Sequence, residues 1–137
     1  MDRIRVFLRR LPPMTLSLLT AGAILWLTLA PKPLGEEPPR LFEGADKIAH
    51  AIMFGGLAMM MLLDWQRRNG WLPVTFPRAF LVALISSAFG GIIEISQAEM
   101  GLGRGFEWGD IVADTLGAFI FSGCWMWWQK YWVITNR

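Results

Sequence analysis

Residues 94–114 read EISQAEMGLGRGFEWGDIVAD. One hydrophobic segment ends here, a short Gly-rich loop follows, and a second hydrophobic segment begins. The loop and its flanks carry five carboxylates (Glu94, Glu99, Glu107, Asp110 and Asp114), together with Gln97 and Arg104. Glu94 and Asp114 lie inside runs that are otherwise apolar enough to span a membrane. An ionisable group in such a run is costly, so each is a candidate functional or structural polar site.

The composition around this stretch sets the class. The chain has 137 residues, of which 54% are hydrophobic and 18% charged. That length suits one domain, and a soluble domain of this size could not cover its surface with so few charges. The chain therefore reads as an integral membrane protein. Its one cysteine, Cys124, excludes an internal disulfide. Basic residues are not interleaved with aromatics in a groove-like pattern, so no nucleic acid is expected as a partner.

Four apolar runs follow in order, and the expected fold is an all-α bundle of four transmembrane helices. Arg3, Arg5, Arg9 and Arg10 precede an uncharged run over 13–30, which is long enough to cross most of a hydrocarbon core of about 30 Å. A cleaved signal peptide is the rival reading. Pro31, directly after Ala30, fits a peptidase site badly and favours an uncleaved first helix. Prolines 31, 33, 38 and 39 forbid a regular helix in the loop that follows. The remaining helices are expected at about 48–63, 79–97 and 110–128, with Asp64 to Arg78 as a loop. Small residues four apart (Ala51 with Gly55, Ser86 with Gly90, Ser87 with Gly91, Ala113 with Gly117) suit close helix packing.

Charge alternates between successive loops. Nine basic residues lie in the N-terminus, the second loop and the tail (Arg3, Arg5, Arg9, Arg10, Arg67, Arg68, Arg78, Lys130, Arg137), and four (Lys32, Arg40, Lys47, Arg104) lie in the first and third loops with their flanks. The positive-inside rule then puts both termini in the cytoplasm. Trp65, Trp71, Trp125, Trp127, Trp128, Tyr131 and Trp132 are expected to form an aromatic belt on the inner side.

In this topology Asp46 and His50 open the second helix, Glu94 and Gln97 close the third, and Asp110 and Asp114 open the fourth. All six belong to one depth at the outer interface. Spacings of three and four let each pair share a helix face. Asp46 and Asp110 also suit the positive ends of their helices, and Asp46 is a possible N-cap. Arg104 can fold back from the loop and bind two carboxylates at once. Glu99 and Glu107 read as solvated loop charges.

Two readings compete for the cluster. One is a structural polar network that locks three helices together, since a carboxylate near hydrocarbon must be paired, hydrogen-bonded or protonated. The other is a site that handles a polar headgroup or peptide. One His with several carboxylates can bind a divalent cation, but the chain has no HExxH motif or Cys pair and its spacing is not diagnostic, so neither metal nor cofactor is expected. Ser96 lies near the cluster in depth, but a lone serine is no nucleophile signature. GLGRG lacks the strand and the Lys–Ser/Thr pair of a phosphate loop, and its glycines suit a tight turn between helices.

Together these motifs resemble a known family. Asp46-Lys47 followed by His50 is similar to the DKxxH element of the VanZ-like membrane proteins, and Glu94-Ile95-Ser96-Gln97 to their ExxQ. Arg104 and the run Asp110 to Ala118 resemble their Arg-containing loop and DxxxNxxGA helix start. The ordered match runs from about Asp46 to Gly123. Asp114 stands where the family usually has Asn. The resemblance implies a small polytopic membrane protein, and the family's namesake is linked to low-level teicoplanin resistance.

The expected function is that of a non-enzymatic or accessory cell-envelope protein of the bacterial inner membrane. Its cluster of Asp46, His50, Glu94, Gln97, Arg104, Asp110 and Asp114 would bind or modulate a lipid-linked or cell-wall component, with membrane lipids as partners. The alternative is a membrane-embedded enzyme acting on a lipid headgroup, with His50 as general acid or base.

Overall fold

The computed structural model describes residues 2–30, 42–101 and 106–135, and these form five helices and no strand. Lys32, Arg40, Arg104 and Arg137 lie outside the described residues. Helices α1 (Asp2–Arg10) and α2 (Thr15–Leu29) are followed by α3 (Ala45–Arg68), α4 (Phe76–Met100) and α5 (Trp108–Thr135). Three of them, α3, α4 and α5, are long and apolar enough to cross a membrane. The pair α1 and α2 passes the same test only if taken together, and it is bent by 72°.

The bend has a local cause. Pro12 and Pro13 cannot continue the ladder of α1, and Met14 enters α2 in the left-handed region at φ 59°. At 15 residues, α2 is about 22 Å long, short of the hydrocarbon core that the other helices exceed. It nevertheless reaches the C-terminal ends of both α3 and α4, which lie at opposite ends of the bundle. Near its start, Ser17 donates from its backbone N–H and its hydroxyl to Asp64 Oδ2 at 2.8 and 2.6 Å. Near its end, Thr28 O accepts from Gln97 Nε2 at 2.8 Å.

The expected loop from Asp64 to Arg78 is corrected here, because α3 continues to Arg68 and both Asp64 and Arg67 are buried. Arg67 donates from Nε to Asp64 Oδ1 at 2.6 Å and from Nη1 to Leu8 O and Leu11 O, each at 2.9 Å. Its Nη2 donates to Pro12 O at 2.7 Å and lies 2.5 Å from Asp64 Oδ1. Every guanidinium donor is thus engaged, and carbonyls freed by the break between α1 and α2 find their partners. Arg67 therefore holds the bend in place.

The bundle is apolar on the outside. Leu19, Trp26, Ile52, Leu81, Ile92 and Ile120 are all more than half exposed, whereas the buried set includes Ser17, Thr28, His50, Ser86, Glu94 and Asp114. Polar groups inside and aliphatic ones outside is the distribution expected of helices bathed in lipid. The expected aromatic belt is only partly a surface feature. Trp125 is buried and donates from Nε1 to Gln66 Oε1 at 3.0 Å, while Trp127, Trp128 and Tyr131 are exposed.

Helices α3 and α5 pack most closely, and glycine is the reason. A Cβ on Gly117 would run into the backbone of Ala51, and one on Gly55 would come within 2.6 Å of the Phe121 ring. Nothing lies within 4 Å of a Cβ on Gly56. Gly117→Ala is expected to lower thermal stability in detergent by about 1–3 kcal/mol through overpacking. Gly56→Ala should leave the unfolding midpoint near that of the parent.

Candidate functional site

The first turn of α3, the last turns of α4 and the first turns of α5 meet at one end of the bundle. Gly44 opens α3 in the left-handed region at φ 86°, without a side-chain cap. Asp46 is therefore not the N-cap. It lies in the first turn, where the helix dipole favours a carboxylate. Gly101 closes α4 at φ 61°, so the first glycine of the loop is the C-cap that ends the helix.

The site is built around His50, which is 7% exposed. Its Nδ1 lies 3.0 Å from Asp114 Oδ1, and its Nε2 faces Asp110 Oδ2 at 3.9 Å. Asp114 is fully buried, and Gly90 makes that burial possible, because a Cβ on Gly90 would collide with the Asp114 carboxylate. Glu94 comes down from α4, 1% exposed, and its Oε2 accepts the backbone N–H of Glu107 at 3.3 Å. Two carboxylate oxygens, Glu94 Oε1 and Asp114 Oδ2, are buried with no hydrogen-bond partner among the described residues. Burying such acceptors without partners costs about 1–3 kcal/mol each.

A second carboxylate group lies further out. Lys47 Nζ reaches Glu107 Oε2 at 3.0 Å and Asp46 Oδ2 and Asp110 Oδ1 at 3.3 Å each. Its stem crosses Gly109, where a Cβ would meet Lys47 Cε at 2.6 Å. One ammonium thus bridges all three carboxylates of the outer trio. Exposure limits what these pairs contribute, since Asp46 and Glu107 are more than half exposed.

The expected site residues separate into groups. His50, Glu94, Asp110 and Asp114 are brought together from three helices. Asp46 joins only through Lys47 at the periphery. Gln97 turns the other way and ties α4 to the end of α2 through Thr28 O. Arg104 lies outside the described residues. The Ser96 hydroxyl bonds Ile92 O at 2.8 Å on its own helix and takes no part.

Sequence reading missed Lys47, Gly90 and Gly109 as parts of the site. Lys47 carried a signal in its position between Asp46 and His50. Gly90 read as a packing residue and Gly109 carried no signal, and only their neighbours give them a role at the site. It also missed the cavity of about 230 Å³ at the opposite end of the bundle, lined by Leu8, Leu63, Trp71, Trp125 and Trp128 among others.

The His50–Asp114 pair makes the geometry testable. Asp114→Ala leaves a buried imidazole without its partner and should cost about 1–3 kcal/mol of stability in detergent. Asp114→Asn retains an oxygen that can accept from Nδ1–H and should lose distinctly less. Equal losses for the two variants would mean that the hydrogen bond does not matter.

Comparison with known proteins agrees with the motifs. No curated protein and no solved structure matches the chain. Residues 14–129 match the family model VanZ/LLP1, which takes in α2, α3, α4 and most of α5. The match extends past the motif-bearing part to include α2, the helix that Gln97 and Asp64 hold in place, and the chain belongs to the VanZ/LLP1 family.

Proposed function

We propose that this protein is an accessory cell-envelope protein of the bacterial inner membrane, in which the cluster at the open ends of α3, α4 and α5 binds the polar part of a lipid-linked or cell-wall component. One observation carries the reading: Glu94 is held almost fully buried, with one carboxylate oxygen that has no partner among the described residues. A group retained only to lock helices would be expected to have its acceptors met, as Asp64 does at the other end. Glu94 is instead poised to accept a donor or cation from outside the protein.

The proposed topology has four crossings and both termini in the cytoplasm. Two features support it. Helix α2 makes contacts at both bundle ends, and Arg68, Arg78 and Lys130 lie toward the end away from His50. The cluster would then face the outer leaflet. Arg67 is a weaker witness than its charge suggests, because Asp64 already pairs with it.

A second reading, a membrane-embedded enzyme acting on a lipid headgroup, draws on the Asp114–His50 pair, which has the arrangement of an oriented general base. Among the described residues no serine or threonine hydroxyl bonds His50, and Ser87 and Thr115 bond each other at 2.6 Å. The binding reading is therefore the better supported.

The test uses cells expressing the parent chain or Glu94→Gln at equal membrane abundance, scored for teicoplanin tolerance. The parent should raise tolerance above the vector control, and Glu94→Gln should return it to the vector level. Equal protection by both proteins would remove the cluster from the function.

A further inference from the structure

We propose that His50, Glu94 and Asp110 form a binding site for a first-row divalent metal ion such as Zn²⁺ or Mn²⁺. One histidine nitrogen and two carboxylate oxygens from these residues lie mutually within 4.8 Å. Metal–ligand bonds of about 2.0–2.2 Å put the ligand atoms of a tetrahedral ion about 3.3 Å apart. Each ligand needs to move by less than about an ångström to close on an ion. His50 Nε2 and Asp110 Oδ2, at 3.9 Å, are already near that separation.

Three further observations point the same way. With Nδ1–H donated to Asp114, the imidazole presents the lone pair of Nε2 toward Asp110. A carboxylate behind a histidine is the usual way in which a metal-binding imidazole is oriented and made more basic. Glu94 is 99% buried by its 1% exposure, reaches into the trio, and keeps Oε1 unpartnered among the described residues. The charges also differ between the two carboxylate groups. Lys47 pairs with Asp46, Glu107 and the outward oxygen of Asp110, whereas among the described residues no lysine or arginine pairs with Glu94 at the inner trio.

Imidazole among the ligands selects against Mg²⁺ and Ca²⁺, which prefer oxygen alone. The sequence hid the site because its ligands come one from each of three helices, so no short ligand spacing exists to be read. This inference rests on the reading of the cluster as a binding site and names its occupant. The bound ion would leave coordination positions open for water or for an anionic group such as phosphate.

The experiment uses full-length, tag-free protein in detergent, stripped with chelator and titrated separately with Zn²⁺, Mn²⁺, Mg²⁺ and Ca²⁺. Bound metal is counted by elemental analysis and affinity is measured by calorimetry. The parent should take up one Zn²⁺ or Mn²⁺ per chain, with a rise in unfolding temperature that chelator reverses. Glu94→Gln and Asp110→Asn should each weaken binding by about tenfold or more. Glu99→Gln, an exposed carboxylate on the same helix, should bind as the parent does. The thermal shift of the parent requires no mutation, so a misfolded variant does not spoil the test. No stoichiometric uptake by the parent, or uptake that Glu94→Gln and Asp110→Asn leave unchanged, would overturn the metal site. If uptake fails while Glu94→Gln still abolishes teicoplanin tolerance, the ion is overturned and the binding-site reading stands. If uptake succeeds while tolerance is unaffected by Glu94→Gln, the ion stands and the tolerance reading falls.

Discussion

A carboxylate taken out of water into a helix bundle needs a counter-charge or a set of donors, and the cost of leaving it without either exceeds most other local terms in a small protein. Among the described residues three acidic side chains are almost completely buried, Asp64, Glu94 and Asp114. The two ends of the bundle answer the demand differently. At one end Asp64 accepts from Ser17 and Arg67, and Arg67 in turn donates to the carbonyls at the break between α1 and α2. At the other end Asp114 is met by His50, but one oxygen of Asp114 and one of Glu94 have no described partner.

The contrast separates a saturated polar network from an unsaturated one within a single fold. A saturated network rigidifies what it touches, and the Asp64–Arg67 pair holds the bent α1–α2 segment against α3. An unsaturated network has capacity left over. Because cores are close-packed, that capacity is not accidental slack: Gly90 and Gly109 are needed to admit the Asp114 carboxylate and the Lys47 stem. Room has been made for charge at the cluster, where among the described residues five carboxylates face Lys47 and His50.

The helix contacts explain how this arrangement is maintained without a large apolar core. Lipid supplies no hydrophobic drive between helices, so close approach and interhelical hydrogen bonds carry the association. Gly55 and Gly117 bring α3 against α5, Ser86 donates to Phe54 O at 2.8 Å, and Ser87 meets Thr115. These contacts lie between the two polar ends and fix the register that delivers His50 to Asp114. A shift of one residue along α5 would rotate Asp114 by about 100° away from the imidazole.

What the sequence by itself determined was local: which runs are apolar enough to be helices in lipid, and the depth at which their polar residues fall. Hydropathy and position along a helix depend on the chain alone, so His50, Glu94, Asp110 and Asp114 could be assigned to one level before any contact was known. Direction was not local. Glu94 and Gln97 are three apart and read as one face, yet Glu94 turns toward α5 and Gln97 toward α2, because each helix is packed between two neighbours. Asp64 and Arg67 read as a loop because charge after an apolar run signals a helix end. The fold kept them helical because each satisfies the other and the broken carbonyls of a distant segment. Tertiary structure alone decided which carboxylates were satisfied and which were left open, since that depends on partners far away in sequence.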